Sequence, residues 1–270
     1  MKPFLSIVIP TLNEEKYLPK ILSDLRRQKE KDFEVIIIDG KSKDRTKEVA
    51  RRYADLPLKY FVSKKSQVSH QRNFGAGKAK GQYIVFIDAD SGVSPAFIRQ
   101  LKKYIKKHRS LIYIPSIVPE NGNDQLKPLF KVINFLVEFS QNLSKPLSSG
   151  GSMIWERNFF HLVGGFDESL FISEDHRIIQ KAYEWGIRAR FLRHIYCRFC
   201  LRRMKKEGQL RVFYKYLLTT AYLLIKGDTK KALFDYQMGG ANYQKIKKQL
   251  SFDQQFKRYL RQIKSFFESL

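Results

Sequence analysis

The chain has 270 residues with 43% hydrophobic content, enough for one large domain, or one domain with a helical extension, around a sizeable core. Its 51 Lys+Arg against 26 Asp+Glu leave a formal charge of +25, which attracts polyanions: nucleic acid, anionic headgroups or diphosphate substrates. Two cysteines, Cys197 and Cys200, exclude a disulfide framework and point to the cytoplasm. The first apolar run is too short for a signal peptide. No run approaches the ~20 apolar residues that span a bilayer, so peripheral attachment to the inner face of the cell membrane is the membrane role left open.

In chain order, the first 120 residues alternate strand and helix patterns. Leu5–Ile9 predicts a strand stopped by Pro10, and Tyr17–Gln28 a helix with Leu18, Ile21, Leu22 and Leu25 on one face. Glu34–Asp39 is a β-branched run of the kind buried on both faces. Thr46–Ala54 reads as helix, Leu58–Val62 as strand, Val68–Lys80 as helix and Gln82–Asp88 as strand. Ser94-Pro95 opens a helix, with Ser as cap and Pro in the first turn. A further strand follows at Leu111–Ile117. This rhythm predicts an α/β fold with a mostly parallel central sheet and flanking helices.

The second half reads differently. Lys127–Asn142 predicts a helix, Ser148–Trp155 a small-residue turn entering a strand, Glu156–Val163 a short helix, and Glu174–Trp185 a helix stopped by Gly186. From Arg202 the chain is basic and helical. The expected division is a catalytic domain over 1–205, its nucleotide-binding half at 1–117 and its acceptor half at 118–205, followed by a basic amphipathic tail over 206–270.

Phe86-Ile87-Asp88-Ala89-Asp90 closes an apolar run with two carboxylates. A buried strand ending this way delivers them to a sheet edge, where they can hold a divalent cation and, through it, a diphosphate. Ile38-Asp39 ends another strand. Ligands of open α/β sheets bind outside the carboxyl ends of strands, so Asp39 and Asp88 should share one crevice. The turn Pro10-Thr11-Leu12-Asn13-Glu14-Glu15 faces the same place. Its simpler reading is a capped helix entry, with Asn13 or Thr11 as cap. Asp39-Gly-Lys-Ser-Lys-Asp44 is not a phosphate-binding P-loop, and no Gly-x-Gly-x-x-Gly follows the first strand, which argues against a dinucleotide enzyme.

These segments resemble family 2 glycosyltransferases. Pro10-Thr-Leu-Asn-Glu-Glu, Asp39-Gly-Lys-Ser-x-Asp44-x-Thr46, Gln71-Arg72-Asn73-x-Gly75-Ala76, Asp88-Ala89-Asp90, Gly164-Gly165-Phe166-Asp167-Glu168 and Ser173-Glu174-Asp175 occur in that family's order, over roughly residues 4–205. The resemblance implies a GT-A fold and inverting transfer of a sugar from a UDP or GDP donor to an acceptor hydroxyl, in lipid-linked or cell-envelope glycan synthesis. It implies base and ribose contacts from Thr11 and Glu14, within the donor-binding turn Pro10–Glu14, and from Asp39. Arg72 would lie near base or diphosphate, Asp88 at ribose or cation, and Asp90 would be the main ligand of a Mg²⁺ or Mn²⁺ ion. Asp175 matches the catalytic base, with Glu174 as its neighbour and fallback. Many members place a histidine after the Glu-Asp pair as a further metal ligand. Here that spacing holds Phe199-Cys200, then Arg202-Arg203. The chain resembles the subgroup with a small residue and Arg-Arg, which implies that Arg203 or Arg202 serves the diphosphate; a solvated basic face explains the run equally well.

The chemistry agrees: a departing diphosphate needs a hard cation, and the acceptor hydroxyl needs a carboxylate to take its proton. The simpler reading of Glu174-Asp175 is an acidic helix start, and both can hold together. Cys197-Arg-Phe-Cys200 lacks the four ligands of a structural zinc site, so Cys197 reads as a packed strand residue. In the tail, Phe256, Leu260, Ile263, Phe266, Phe267 and Leu270 share one face beside Lys and Arg. It would dock on the domain or on an anionic membrane surface. The class rivals are a nucleic-acid-binding protein, suggested by charge alone, and a nucleotidyltransferase. Aromatics in core patterns and acids at the strand ends argue against nucleic acid as a partner. The first loop lacks the Gly-rich, basic character of a nucleotidyltransferase. Acceptor choice is expected in Ile117–Ser152, which carries no readable motif.

Overall fold

The computed structural model describes residues 2–120, 122–170, 172–202 and 204; the tail over 206–270 and Arg203 lie outside the described residues. Met1–Ser169 and Glu174–Cys200 belong to one compact unit, which carries the sheet and is the subject below; Leu201 and Arg202 belong to a second.

The strands are β1 (Leu5–Thr11), β2 (Phe33–Asp39), β3 (Leu58–Val62), β4 (Tyr83–Phe86), β5 (Gly92–Val93), β6 (Ile112–Pro119), β7 (Met153–Glu156) and β8 (Arg190–Phe199). The helices are α1 (Leu18–Arg26), α2 (Thr46–Arg51), α3 (Val68–Lys78), α4 (Phe97–His108), α5 (Lys127–Ser140), α6 (Arg157–Leu162) and α7 (Glu174–Glu184). One sheet has the order β3-β2-β1-β4-β7-β6-β8-β5. Its β3-β2-β1-β4 half is parallel throughout. Beyond it β7 is antiparallel to β4 and β6, β8 runs parallel to β6, and β5 closes antiparallel on β8. Only β7 and β5 therefore oppose the common direction, and the expected α/β sheet is mostly parallel with a mixed far half.

Alternation along the strands separates two cores. Leu5, Ile7, Ile9, Val35 and Ile37 pack with Leu18, Ile21, Leu22 and Leu25 of α1 and with Ile98, Leu101 and Ile105 of α4. Val8, Ile36, Ile38, Ile84 and Phe86 pack on the opposite face with Ala76, Phe160, Ile178 and Ile179. A sheet covered on both faces needs the continuous β-branched runs read from the sequence. Helix α3 lies directly on β1: a Cβ at Gly75 would come 2.4 Å from Val8 Cγ1.

Several boundaries shift by one to three residues, β4 ending at Phe86 ahead of Asp88, and two differences have a clear cause. β1 runs through Pro10, paired with Ile38, to Thr11. Val8 accepts from the Ile87 N–H, so alternation turns Pro10 toward the β4 side, beyond the last β4 partner at Phe86. Its missing N–H breaks no ladder bond there. Helix α4 starts at Phe97, with Ala96 as its cap residue, and Ser94-Pro95 forms the turn ahead of it. The buried Asp24 of α1 was not singled out in the sequence. It accepts from Val93 N at 3.0 Å and Arg198 Nη2 at 2.9 Å, joining α1 to β5 and β8.

Glu34, on β2, crosses the parallel half. It accepts from Ser6 Oγ at 2.8 Å, Lys80 N at 2.8 Å and Lys59 Nζ at 2.9 Å. Burial would raise its carboxyl, but the Lys59, Lys80 and Ser6 bonds outweigh burial and hold it below 4.5. A depressed acid contributes stability above its unfolded pKa, and that contribution is lost as pH falls through the folded value. Glu34→Gln should therefore cost about 2 kcal/mol in urea unfolding at neutral pH. The difference from wild type should shrink below pH 4.5.

Candidate active site

The carboxyl ends of β1 and β2 are tied by their own loops. Thr11 Oγ1 donates to Asp39 Oδ1 at 3.1 Å, and Ser42 donates to the same carboxylate through N (2.9 Å) and Oγ (2.5 Å). Tyr60 also bonds Asp39; burial and that carboxylate push its hydroxyl above the ordinary tyrosine value. Asn13, in the left-handed region at φ 56°, donates its N–H to Ser42 Oγ and accepts from Lys43 N, each at 2.8 Å. Asp44 and Thr46 reach back, Thr46 Oγ1 accepting from Glu14 N at 2.8 Å and Asp44 Oδ2 from Glu15 N at 3.0 Å. Thr11, Glu14 and Asp39 are all buried. The two motifs thus form one cross-braced floor, and Asp39 has an organising role there.

Helix α3 joins this floor to the next strand end. Gln71 Nε2 donates to the carbonyls of Thr11 and Ile38, both at 2.8 Å. Its neighbour Arg72 donates Nη2 to Asp88 Oδ1 at 2.8 Å and Nη1 to Glu174 Oε1 at 2.7 Å. The Arg72 side chain is 3% exposed and lies over the Phe166 ring, 5.4 Å from its centre. Burial alone would lower its pKa; Asp88 and Glu174 outweigh that and hold the guanidinium charged. Arg72 is therefore a buried clamp between the β4 end and the start of α7.

Helix α7 begins with Glu174 and Asp175, and the residue before them, Ser173, is left-handed at φ 70°. Burial pushes the Glu174 carboxyl above the usual range, Arg72 opposes that, and the neighbouring Asp175 charge adds to it. Asp175 acts on both Arg72 and Glu174 and is partly exposed, so the structure brings it to the clamp. The Gly-Gly-Phe-Asp-Glu segment is pinned to α3: Asn73 bonds both backbone groups of Phe166, and His70 Nδ1 lies 2.9 Å from Glu168 Oε2. Gly165 sits at φ 66°, where a Cβ would also meet Asn73 Oδ1 at 2.7 Å.

Two features escaped sequence reading. His176 Nδ1 accepts from Ser148 N at 2.9 Å and so fixes the Ser148–Ser152 loop to α7. Gly151 lies against the clamp, where a Cβ would stand 2.1 Å from Arg72 Nη2 and 2.6 Å from both Asp88 oxygens. The run of small residues was the visible signal; what it lay against was not. Arg202 belongs to the second unit and Arg203 is outside the described residues.

The donor set suits a hard divalent cation. Among the described residues no group of three His, Cys, Asp or Glu forms a metal cage. Mg²⁺ takes one or two carboxylates and completes its shell with phosphates and water. Asp88, 40% exposed, and Asp90, two residues on, are a carboxylate pair of that type, and the Gly151 backbone packs closely against the Asp88 carboxylate. Cys197 and Cys200 are both buried thiols outside any disulfide, and burial pushes the Cys197 thiol up to about 12, so it stays protonated in the packed role expected of it.

Removing one partner of a buried ion pair strands the other, so Arg72→Met should cost about 3 kcal/mol in denaturant unfolding. Gly151→Ala, which forces a methyl into the same pair, should cost about 2 kcal/mol. Because both act on one contact, the double variant should lose clearly less than the sum, which a double-mutant cycle measures.

A model of the family described as "Glycosyl transferase family 2" matches residues 6–164. Poly(ribitol-phosphate) beta-N-acetylglucosaminyltransferase TarS of Staphylococcus aureus is 25% identical over 131 residues, 47% of this chain and 23% of TarS. The structure of TarS 1-349 with UDP-GlcNAc superposes with a TM-score of 0.63 at 22% identity, covering 83% of this chain and 67% of that one. The mannosyltransferase PcManGT of Pyrobaculum calidifontis, solved with GDP-Man and Mn²⁺, gives 0.66 at 20% identity over 83% and 65%. A Methanococcus voltae transferase is 27% identical over 206 residues, 71% of this chain and 61% of its own; its name is dolichyl N-acetyl-alpha-D-glucosaminyl phosphate 3-beta-D-2,3-diacetamido-2,3-dideoxy-beta-D-glucuronosyltransferase. The chain thus spans 23% to 61% of the curated relatives TarS and the Methanococcus enzyme. The structural matches carry the expected fold, that of the GT-A transferases, and the sequence match settles the lineage: the chain belongs to glycosyl transferase family 2.

Proposed function

We propose that this protein transfers a sugar from a nucleoside diphosphate donor, UDP- or GDP-linked, to an acceptor hydroxyl with inversion. The observation that carries the reading is the Arg72 clamp, which holds an Asp-x-Asp strand end and the start of the Glu174-Asp175 helix at one site. Relatives named for UDP-GlcNAc and GDP-Man complexes support the donor class. A relative named for a dolichyl phosphate sugar acceptor supports a lipid-linked or cell-envelope acceptor. No helix among the described residues is long and apolar enough to cross a membrane. The setting in this reading is peripheral, on the inner membrane face.

The nucleoside lies over the Thr11–Glu14 turn and Asp39, whose bracing presents a preformed floor. Asp90, with Asp88, would hold a Mg²⁺ or Mn²⁺ ion, whose charge offsets that of the departing diphosphate. Asp175 takes the proton of the acceptor hydroxyl as the acceptor oxygen bonds to the anomeric carbon and the bond from that carbon to the diphosphate oxygen breaks. Attack opposite the leaving group inverts that carbon. Glu174 is committed to Arg72, which leaves Asp175 as the base. Arg72 acts as a positioning residue.

In a thermal-shift experiment UDP or GDP should stabilise the protein in the presence of Mn²⁺, and Asp90→Ala should abolish the shift. Asp175→Asn should keep the shift and lower transfer about 10²–10⁴-fold. Absence of a shift with every nucleoside diphosphate would falsify the reading.

A further inference from the structure

The outward face of α5 is apolar. Val132, Phe135, Leu136, Phe139 and Leu143 recur at helical spacing and are 46–63% exposed, with the Phe135 and Phe139 rings stacked at 6.1 Å. Val137 and Phe130 on the opposite side already fill the core. A continuous apolar stripe of this kind marks an interaction surface.

Its edge is basic. Lys131 lies beside the stripe, and Glu138, the acid of α5, is engaged by Arg193 Nε at 2.8 and 2.9 Å. A cleft of about 440 Å³ at the C-terminal end of α5 carries Arg190, Arg193 and His194 from β8. A helix with an apolar face and a cationic border is suited to lie in the boundary between headgroups and acyl chains. A second copy of this chain would bring those like charges toward each other, so the border favours an anionic surface over self-association.

We infer that α5 is a membrane-docking helix, its stripe entering an anionic bilayer and its basic edge meeting the headgroup phosphates. The same segment leads to the site. Gln141 Nε2 bonds the carbonyls of Val137 and Leu147, and the next loop bonds His176 and lies on the Arg72–Asp88 pair. A docked α5 therefore ties the membrane to the loop beside Asp175, which suits an acceptor carried by lipid. The inference rests on the surface alone, so vesicle binding and the nucleotide-dependent thermal shift can fail separately.

The test is co-sedimentation of the full chain with vesicles of phosphatidylcholine alone or with 30% phosphatidylglycerol, an amount at which the surface potential attracts basic segments. Wild type should pellet with the anionic vesicles. The double variant Phe135→Ser, Phe139→Ser should reduce the bound fraction about tenfold while keeping its melting temperature. Because both native cysteines are buried, Leu136→Cys can carry an environment-sensitive fluorophore, whose emission should shift to the blue with anionic vesicles only. Retention of binding in the double variant would show that charge or another segment does the docking and would overturn the inference. So would an unshifted fluorophore, failure of wild type to pellet, or a dimer in sedimentation analysis that the double variant dissolves.

Discussion

A guanidinium with 3% of its side chain exposed joins two carboxylates from well-separated segments of the chain. Arg72 reaches Asp88 at the end of β4 and Glu174 at the start of α7. Stripping its hydration is costly, and that cost is recovered only while both acids remain in place. The dependence runs both ways: the acids are held together because the cation has nowhere else to go. Phe166 below, Gly151 above and the Gln71 bonds to the β1 and β2 ends fix the arginine in position. The β4 end and the start of α7 are therefore braced into one piece.

That arrangement also sets similar groups in different surroundings. Five acids lie at or just beyond the ends of β2 and β4 and at the start of α7, and their surroundings distinguish them. Asp39 is surrounded by Thr11, Ser42 and Tyr60 and shapes the floor. Glu174 is spent on the clamp. Asp88 divides its carboxylate between Arg72 and solvent. In the proposed reaction Asp90 holds the cation and Asp175 takes the proton. The +25 charge, read alone, would equally suit nucleic acid; acids set at the strand ends point instead to a phosphate held through a cation.

Much of this was legible in the sequence because the relevant signals are local. The runs at Leu5–Ile9 and Glu34–Asp39 are β-branched because both sheet faces are covered, and Asp-x-Asp marks a strand end wherever that strand lies. What needed the structure was long-range. Nothing near Arg72 in sequence names Glu174 as its partner. The small residues at Gly150-Gly151 read as a turn, since the ion pair they clear lies in other segments. Strand β8 was not read in detail because the register shift opposite Pro115/Ser116 breaks its alternation and charged residues fill its outer positions. Helix α5 was legible as a helix, but apolar residues stand on both sides of its narrow Lys131, Asn134 and Glu138 stripe, so periodicity could not tell the core face from the outer one.

The central claim is that the Asp88–Asp90 edge and the Thr11–Asp39 floor bind one ligand through one cation. Crystals soaked with GDP or UDP and Mn²⁺, measured at the manganese absorption edge, test it most directly. The account predicts an anomalous peak beside the Asp88 and Asp90 carboxylates, the base over Thr11 and Asp39, and Arg72 still bonded to Glu174. A nucleotide bound elsewhere, or manganese away from both aspartates, would contradict it.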